Sequence, residues 1–424
     1  MGGKVSLFLV MGFAGLFALF SKNIMDTSTR TVDNYAFYFS KSQAHHIAVS
    51  GIHMAMMEIN INDPKWTTGF SNKPIAGGYL DLSVANMASG IIRVTSIGKY
   101  GSFKDTVVVT AKQRSYAEYG NYYNVFSNVW AATGDTFDGK FHANDFIQCY
   151  GDPVFKGVVT TSKGVKLYDK NSHPKFEDGW KLQTNDPVKF DTAAMRIDAY
   201  AGGKVFRDTT NSGKITDVKL RFNSDGTVKY SISIGGSPYT PEVTVPVTDL
   251  APNGLIYIER GNARIQGTLN GQVTIVASKK GTTGAGRVLI DNTIQYAVDP
   301  LAQPDLCDDY LGLVAEQQVE IPFDSTRGDF TIHASMLSQN GGLVVTNYSD
   351  YPAAYKMNII GGIIGHKVEA TAKYDGVTKL PTNGYSYIHR YDKRFDINVP
   401  PYFPKMRIFS TIAWYEGEVF IPVY

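Results

Sequence analysis

The apolar pattern begins with residues 5–20, VSLFLVMGFAGLFALF, which carry no charge and follow MGGK. As a helix they span about 24 Å; extension to Met25 reaches about 31 Å, close to the ~30 Å hydrocarbon core of a bilayer. Lys22 and Asn23 then fall near one boundary. A removable secretory signal has the same charge and length. The exit, LFALFSKN, offers no small-x-small cleavage site, and the helical pattern continues beyond it.

Residues 24–61 contain no Pro and a single Gly, Gly51. Ala44, Ala48, Gly51 and Ala55 recur at helical spacing, with Ile47, Ser50, Met54, Met57 and Ile61 as an adjacent stripe. The spacing predicts one helix of roughly 55 to 60 residues, about 85 Å long. Asn62, Asp63 and Pro64 stop it. Ala44, Ala48, Gly51 and Ala55 are the expected helix packing face, because small side chains let backbones approach closely. The simpler reading of the same stretch is a single-pass anchor whose helix packs on its own domain.

After Pro64 the period falls to two. Residues 79–84, 91–96 and 106–111 read as strands, with Gly77–Gly78, Gly90 and Gly98 between them and a hairpin at Tyr100, Gly101 and Ser102. Residues 115–129 are rich in aromatics, from Tyr116 to Phe126, followed by Trp130. Such a run more often fills a core or a seam than a stacking surface. Beyond Gly134, short apolar runs return about every 18 to 25 residues with Gly corners, as in QCYGDPVFKGVVTTS and QGTLNGQVTIVAS. That suits a right-handed parallel β-helix with an Ile/Val ladder; a β-sandwich is the alternative. Residues 191–200 suit a short helix, and Asp225–Gly226 a hairpin. Residues 400–404 (PPYFP) suit an extended segment, and 414–423 a closing strand.

The fold class expected is therefore mainly β with one long N-terminal α-helix. Its parts are a leader and transmembrane segment (1–25), an amphipathic stalk helix (26–64), a small antiparallel β module (65–130) and a β-helix-like head (131–424). A polar insertion occupies about 170–248 of the head. Composition sharpens this. Charged residues are 19% of the 424, below the roughly 25% of an average soluble domain, and 41 Gly and 26 Tyr fill the space. A net charge of +2 leaves no basic excess for a nucleic-acid partner. Two cysteines exclude a disulfide-stapled scaffold and any four-cysteine metal site. Residues 281–286 (GTTGAG) lack the Gly-Lys-Ser/Thr ending of a phosphate loop.

Candidate chemistry gathers in Asp135, Asp138, His142 and Asp145, which could supply oxygen and imidazole ligands to a metal or serve a Ca²⁺-dependent polysaccharide lyase. The bland reading makes Gly134–Asp135 and Asp138–Gly139 turns whose carboxylates bond their own backbone, and His142 a satisfied strand residue. No catalytic residue, metal or cofactor is expected. His45, His46 and His53 lack the four-residue spacing of helical zinc ligands and read as contact residues. Cys149 and Cys307 can pair outside the cytoplasm and tie two coils; otherwise Cys149 is a buried small hydrophobe.

The N-terminal plan resembles type IV pilins and the pseudopilins of type II secretion, and within them the large minor pilins of the X type. Asn34, Gln43, Ala44, Ala48, Gly51 and Ile52 carry the likeness over about 60 residues. The acidic residue that many pilins place early in the apolar segment is missing; the first is Asp26. Cleavage between Gly3 and Lys4 would be compatible with prepilin-peptidase processing. Residues 134–155, 309–322, 361–364 and 391–404 are similar to a family of large bacterial envelope proteins with pilin-like N termini. The resemblance implies a non-enzymatic minor pilin or pseudopilin of a type IV pilus or type II secretion-like filament. It would be an inner-membrane single-pass protein of the bacterial cell envelope with an extracytoplasmic head. Its partners would be other pilin-like subunits, the membrane, and a surface glycan or protein bound in adhesion or assembly priming. The alternatives are a membrane-tethered β-helix enzyme acting on polysaccharide, or a simple anchored scaffold.

Overall fold

The computed structural model describes residues 2–417, apart from 89, 127, 128, 186, 211 and 379. Two compact units result. One comprises the chain up to Arg114 together with the segment from Arg407; the other is Ser115–Met406.

The first unit is built on α1 (Gly2–Met57), which ends in a single π turn, Glu58–Asn62. The Asp63 amide donates to the Glu58 carbonyl at 3.0 Å and closes it. Thr27, Thr29 and Thr31 cap their own hydroxyls on the carbonyls one turn back, so these residues do not break the helix. From Gly3 to Phe39 every residue is exposed. From Ala44 onward a stripe of Ala44, Ile47, Ala48, Gly51, Ile52 and Ala55 is buried. The expected Met57–Ile61 part of the second stripe faces solvent instead, while Ile47 joins the small-residue face.

That face meets an antiparallel sheet: β1 (Phe70–Ile75), β2 (Gly78–Ala88), β3 (Ile91–Tyr100) and β4 (Phe103–Ser115). Its alternate residues Leu80, Leu82, Val94 and Val109 bury against Ile47, Ile52 and Ile59. Gly98 on β3 lies so close to α1 that a Cβ there would overlap the Ala44 carbonyl and the Ala48 amide. The small-residue face is thus occupied by the protein's own sheet. The turn between β1 and β2 puts Ala76 and Gly77 at positive φ, a two-residue hairpin matched to the strand twist. β1 escaped the sequence pattern because Asn72 also takes positive φ and the pairing slips between Phe70 and Lys73.

A strand closing the head was expected at 414–423, of which 418–423 lie outside the described residues. The described strand, Lys405–Glu416, adds to the outer edge of β4, and the five-stranded order is β1, β2, β3, β4, Lys405–Glu416. The Phe409 amide and carbonyl bond the Asn60 side chain at 2.7 and 3.3 Å, which fastens the strand to the end of the helix.

The second unit is a parallel coil, which excludes the sandwich alternative. Thr136, Phe141 and Ile147 pair with Val154, Val159 and Val165, one turn of the coil later. Phe137, Phe155 and Phe176 stack at one corner with centroids 4.8 Å apart at each step. A second series pairs Ile256, Ile275, Leu313, Met336 and Ile363 through successive turns, all buried. The two series join out of chain order. Ile363 pairs with Asn121, which pairs with Phe141, so the last coils stack on the first. Residues 170–248, expected as an insertion, include the start of the second series: Lys204–Phe206 pairs with residues 256–258. The hairpin expected around Asp225–Gly226 forms between Thr216–Phe222 and Thr227–Ile234, and its first strand also pairs in parallel with residues 261–267. The short helix forms at Thr192–Gly202, capped by the Asp191 carboxylate on the Ala193 and Ala194 amides. Residues 400–404 turn rather than extend: the Phe403 amide donates to Pro400, and Tyr402 takes a positive φ.

Replacing Gly98 by Val is expected to cost about 1–3 kcal/mol through overpacking against α1. Hydrogen exchange of the β2 and β3 amides checks this. Gly328→Ala, where nothing lies within 4 Å of an added Cβ, serves as the neutral comparison.

Candidate functional site

The most conspicuous surface is the first half of α1. It is long and apolar enough to cross a membrane, and none of its apolar window is buried. Phe8, Leu16 and Phe17 are more than half exposed, and apolar side chains occupy every face. A helix that is apolar all round is stable only in lipid or among other apolar helices. At its exit Tyr35 and Tyr38 stay exposed, while Phe37 sits edge-on to Phe103 at 5.0 Å. His45 then bonds the Asp105 carboxylate at 2.8 Å, and His53 leans on Trp414. His45 and His53 therefore lie along the side where α1 meets β4 and the last strand, whereas His46 is exposed beside the His45 ring.

The acidic cluster does not converge. Asp135 accepts from the Ala132 amide at 2.7 Å and the Tyr374 hydroxyl at 3.2 Å, and burial pushes its carboxyl up to about 6. Asp138 accepts from the Gly139 and Tyr391 amides. Asp145 pairs with Lys163 at 2.9 Å and accepts from the Phe126 amide. His142 is fully buried, with Nδ1 2.7 Å from the Thr160 hydroxyl and Nε2 3.0 Å from the Asn144 Oδ1. Because that Oδ1 also accepts the Asn185 amide, it is an acceptor, and Nε2 carries the proton. Burial pulls the imidazole down to about 4, so it is neutral. The alternation of residues along the coil explains the dispersal. These side chains leave one coil at different points along its path, and each finds its own partner. Among the described residues no group of three or more His, Cys, Asp or Glu is placed to hold a metal.

Cys149 and Cys307 are both free and buried. Cys149 has Ala131 and Leu167 as its ladder neighbours, so no cysteine is on an adjoining coil. The Cys307 thiol donates to the Val298 carbonyl instead, and burial pushes the Cys149 thiol up to about 12. The aromatic run is core: Tyr116, Tyr122 and Phe126 are almost fully buried. Gly3 is exposed on the helix.

Two polar locks were missed by the sequence reading. Arg394 bonds buried Asp392 through two nitrogens, donates to the Cys307 and Asp309 carbonyls, and lies 4.8 Å over the Tyr310 ring. His389 donates from Nε2 to the Gly361 carbonyl and accepts the Asp138 amide at Nδ1, where the two coil series join. Most of these residues lie in segments 309–322, 361–364 and 391–404, where they bond neighbouring coils to one another.

No family model and no curated protein matches the sequence. Among solved structures, the competence-associated pilin ComZ from Thermus thermophilus aligns over 89% of this chain and 97% of that one, at 12% identity and a TM-score of 0.33.

Burial pulls His333 and His389 down to about 4, as it does His142. The unfolded chain binds protons at these sites below about pH 6.5 while the folded head does not, so the head loses stability as pH falls from 6.5 toward 4. Asp135 acts with the opposite sign between its ordinary 3.8 and about 6, and burial raises the Asp309 carboxyl in the same sense, but these are two groups against three. The denaturation midpoint of the head is expected to drop across this window, and His142→Gln to give a shallower slope. A flat or rising midpoint contradicts the assignment.

Proposed function

We propose that this chain is a pilin-like subunit, held in the bacterial inner membrane by the first half of α1 and packed among neighbouring helices once assembled. One observation carries the reading: α1 is divided by burial. Its second half buries one face on the chain's own sheet, whereas no described residue from Gly3 to Phe39 is buried. A helix whose far half is fixed on a folded unit can pass from lipid into a bundle of like helices without refolding that unit. The coarser property, an N-terminal apolar helix long enough to span a bilayer, belongs to the chain itself.

On this reading the small-residue face is not the contact between subunits. Ala44, Ala48, Gly51 and Ala55 are used internally, so the neighbours meet through the exposed segment of residues 5–39. The head, in our proposal, is non-enzymatic and extracytoplasmic, and serves assembly priming or adhesion as in a minor pilin. The missing early acidic residue, with Asp26 the first in the chain, favours a low-copy position over a main fibre. Replacing Leu16 by Arg places a charge in the apolar segment, a cost of about 2.5–3.5 kcal/mol at a bilayer centre. That variant is expected to leave the membrane fraction and to be absent from material sheared off whole cells. N-terminal mass analysis of the native chain is expected to show a start at Lys4. An intact Met1 together with purely membrane-bound, shear-resistant material overturns the filament reading and leaves an anchored scaffold.

A further inference from the structure

Beside the Asp135 turn the head contains a cavity of about 260 Å³. Its walls include buried Tyr123, Phe126 and Phe137 and half-buried Trp130, Tyr150 and Tyr374. The rings are fixed by one another. Tyr168 holds Trp130 edge-on at 5.1 Å and Tyr150 at 4.6 Å, and Phe137 stacks on Phe155. Asp135, 8% exposed, also lines the space. Its two bonded donors, the Ala132 amide and the Tyr374 hydroxyl, are neutral.

Charge at this place is unbalanced. Among the described residues no basic side chain forms an ion pair with Asp135. Glu369, the other acidic residue of the lining, is paired with Lys367 at 2.6 Å. Lys166 lies over the Trp130 ring at 5.7 Å and is exposed. A carboxylate withdrawn from water without a counter-ion is costly, which is why burial pushes this group up to about 6. Aromatic faces attract cations as well. A ligand that brings a positive charge into the cavity gains from both features, whereas an anion meets repulsion from Asp135. Size adds a limit. A dry cavity of about 150 Å³ accepts benzene, so this one accommodates a single ring bearing a short amine.

We propose that this cavity binds a small organic ammonium cation carried on one ring or a short apolar chain, with Asp135 as its counter-charge and Trp130, Tyr150 and Tyr374 around its body. The assignment is independent of the pilin-like reading, since every lining residue belongs to the head unit.

Ligand-observed NMR titration of the full chain in detergent tests it, with empty micelles subtracted. Three probes of equal shape are compared: benzylammonium, benzyl alcohol and benzoate. Saturable benzylammonium binding at least about tenfold tighter than benzyl alcohol is expected, with benzoate weaker than both. Asp135→Asn keeps an oxygen for the Ala132 amide and sets its amide nitrogen against the Tyr374 hydroxyl, which then accepts instead of donating, and is expected to abolish the preference for the cation. Trp130→Leu is expected to weaken benzylammonium several-fold while leaving the order of the probes unchanged. Equal affinity for benzylammonium and benzyl alcohol, no saturable binding, or an unchanged preference in Asp135→Asn overturns the proposal. If Asp135→Asn does not fold, the order of the three probes on the native chain decides it.

Discussion

Apolar surface that an element cannot cover by itself organises this protein. A single coil of the head presents an open row of backbone donors and acceptors and an inward line of Ile, Val and Phe. It becomes stable only when another coil lies on it in register, as Ile256 lies against Ile275 and Phe137 against Phe155. The glycine corners and the varied loop lengths follow from that requirement. They let the chain return to the same register whatever it does between turns.

The order in which coils cover one another is less expected. Chain order would leave the first coil and the last at opposite ends. Instead Ala354–Lys367 pairs with Asn121–Val125, and the two series form one continuous ladder. Buried Asn121 and His389 sit at the join. His389 bridges Gly361 and Asp138, and its imidazole can do so only while neutral, with one nitrogen donating and the other accepting. Arg394 plays a comparable part where Asp309 and Asp392 are buried, because its planar fork satisfies several carbonyls and a carboxylate at once. Such networks add specificity for one arrangement of coils more than they add net stability.

The long helix obeys the same rule with a different outcome. Ala44 and Ala48 allow its backbone to approach Gly98, Gly51 packs against Ser96 and Leu80, and the sheet covers this one face of the second half. Among the described residues none of the stretch from Gly3 to Phe39 is buried. The contrast lies within one uninterrupted helix, so it reflects side-chain pattern rather than backbone conformation. Lipid or a neighbouring helix is the cover this pattern suits.

Periodicity made much of this legible. The absence of Pro between residues 24 and 61 gave the helix, β-branched alternation gave β2 to β4, and spaced Gly-containing runs gave the coils. The candidate residues were read less well. Asp135 to Asp145 are neighbours in sequence, but a strand-turn-strand path sends neighbours to different sides, so nearness along the chain did not become nearness in space. Cys149 and Cys307 failed to meet for the reverse reason: pairing depends on which coils adjoin. The edge position of Lys405–Glu416 and the join between the first and last coils are likewise contacts between residues far apart in sequence. The sequence by itself determined the elements, the apolar helix and the kind of stacking, because hydrogen-bond period and side-chain alternation are local. Only the tertiary structure decided which face of the helix is consumed, which coil covers which, and where a carboxylate is enclosed by aromatic rings. Those outcomes depend on burial between distant segments, and no local pattern records it.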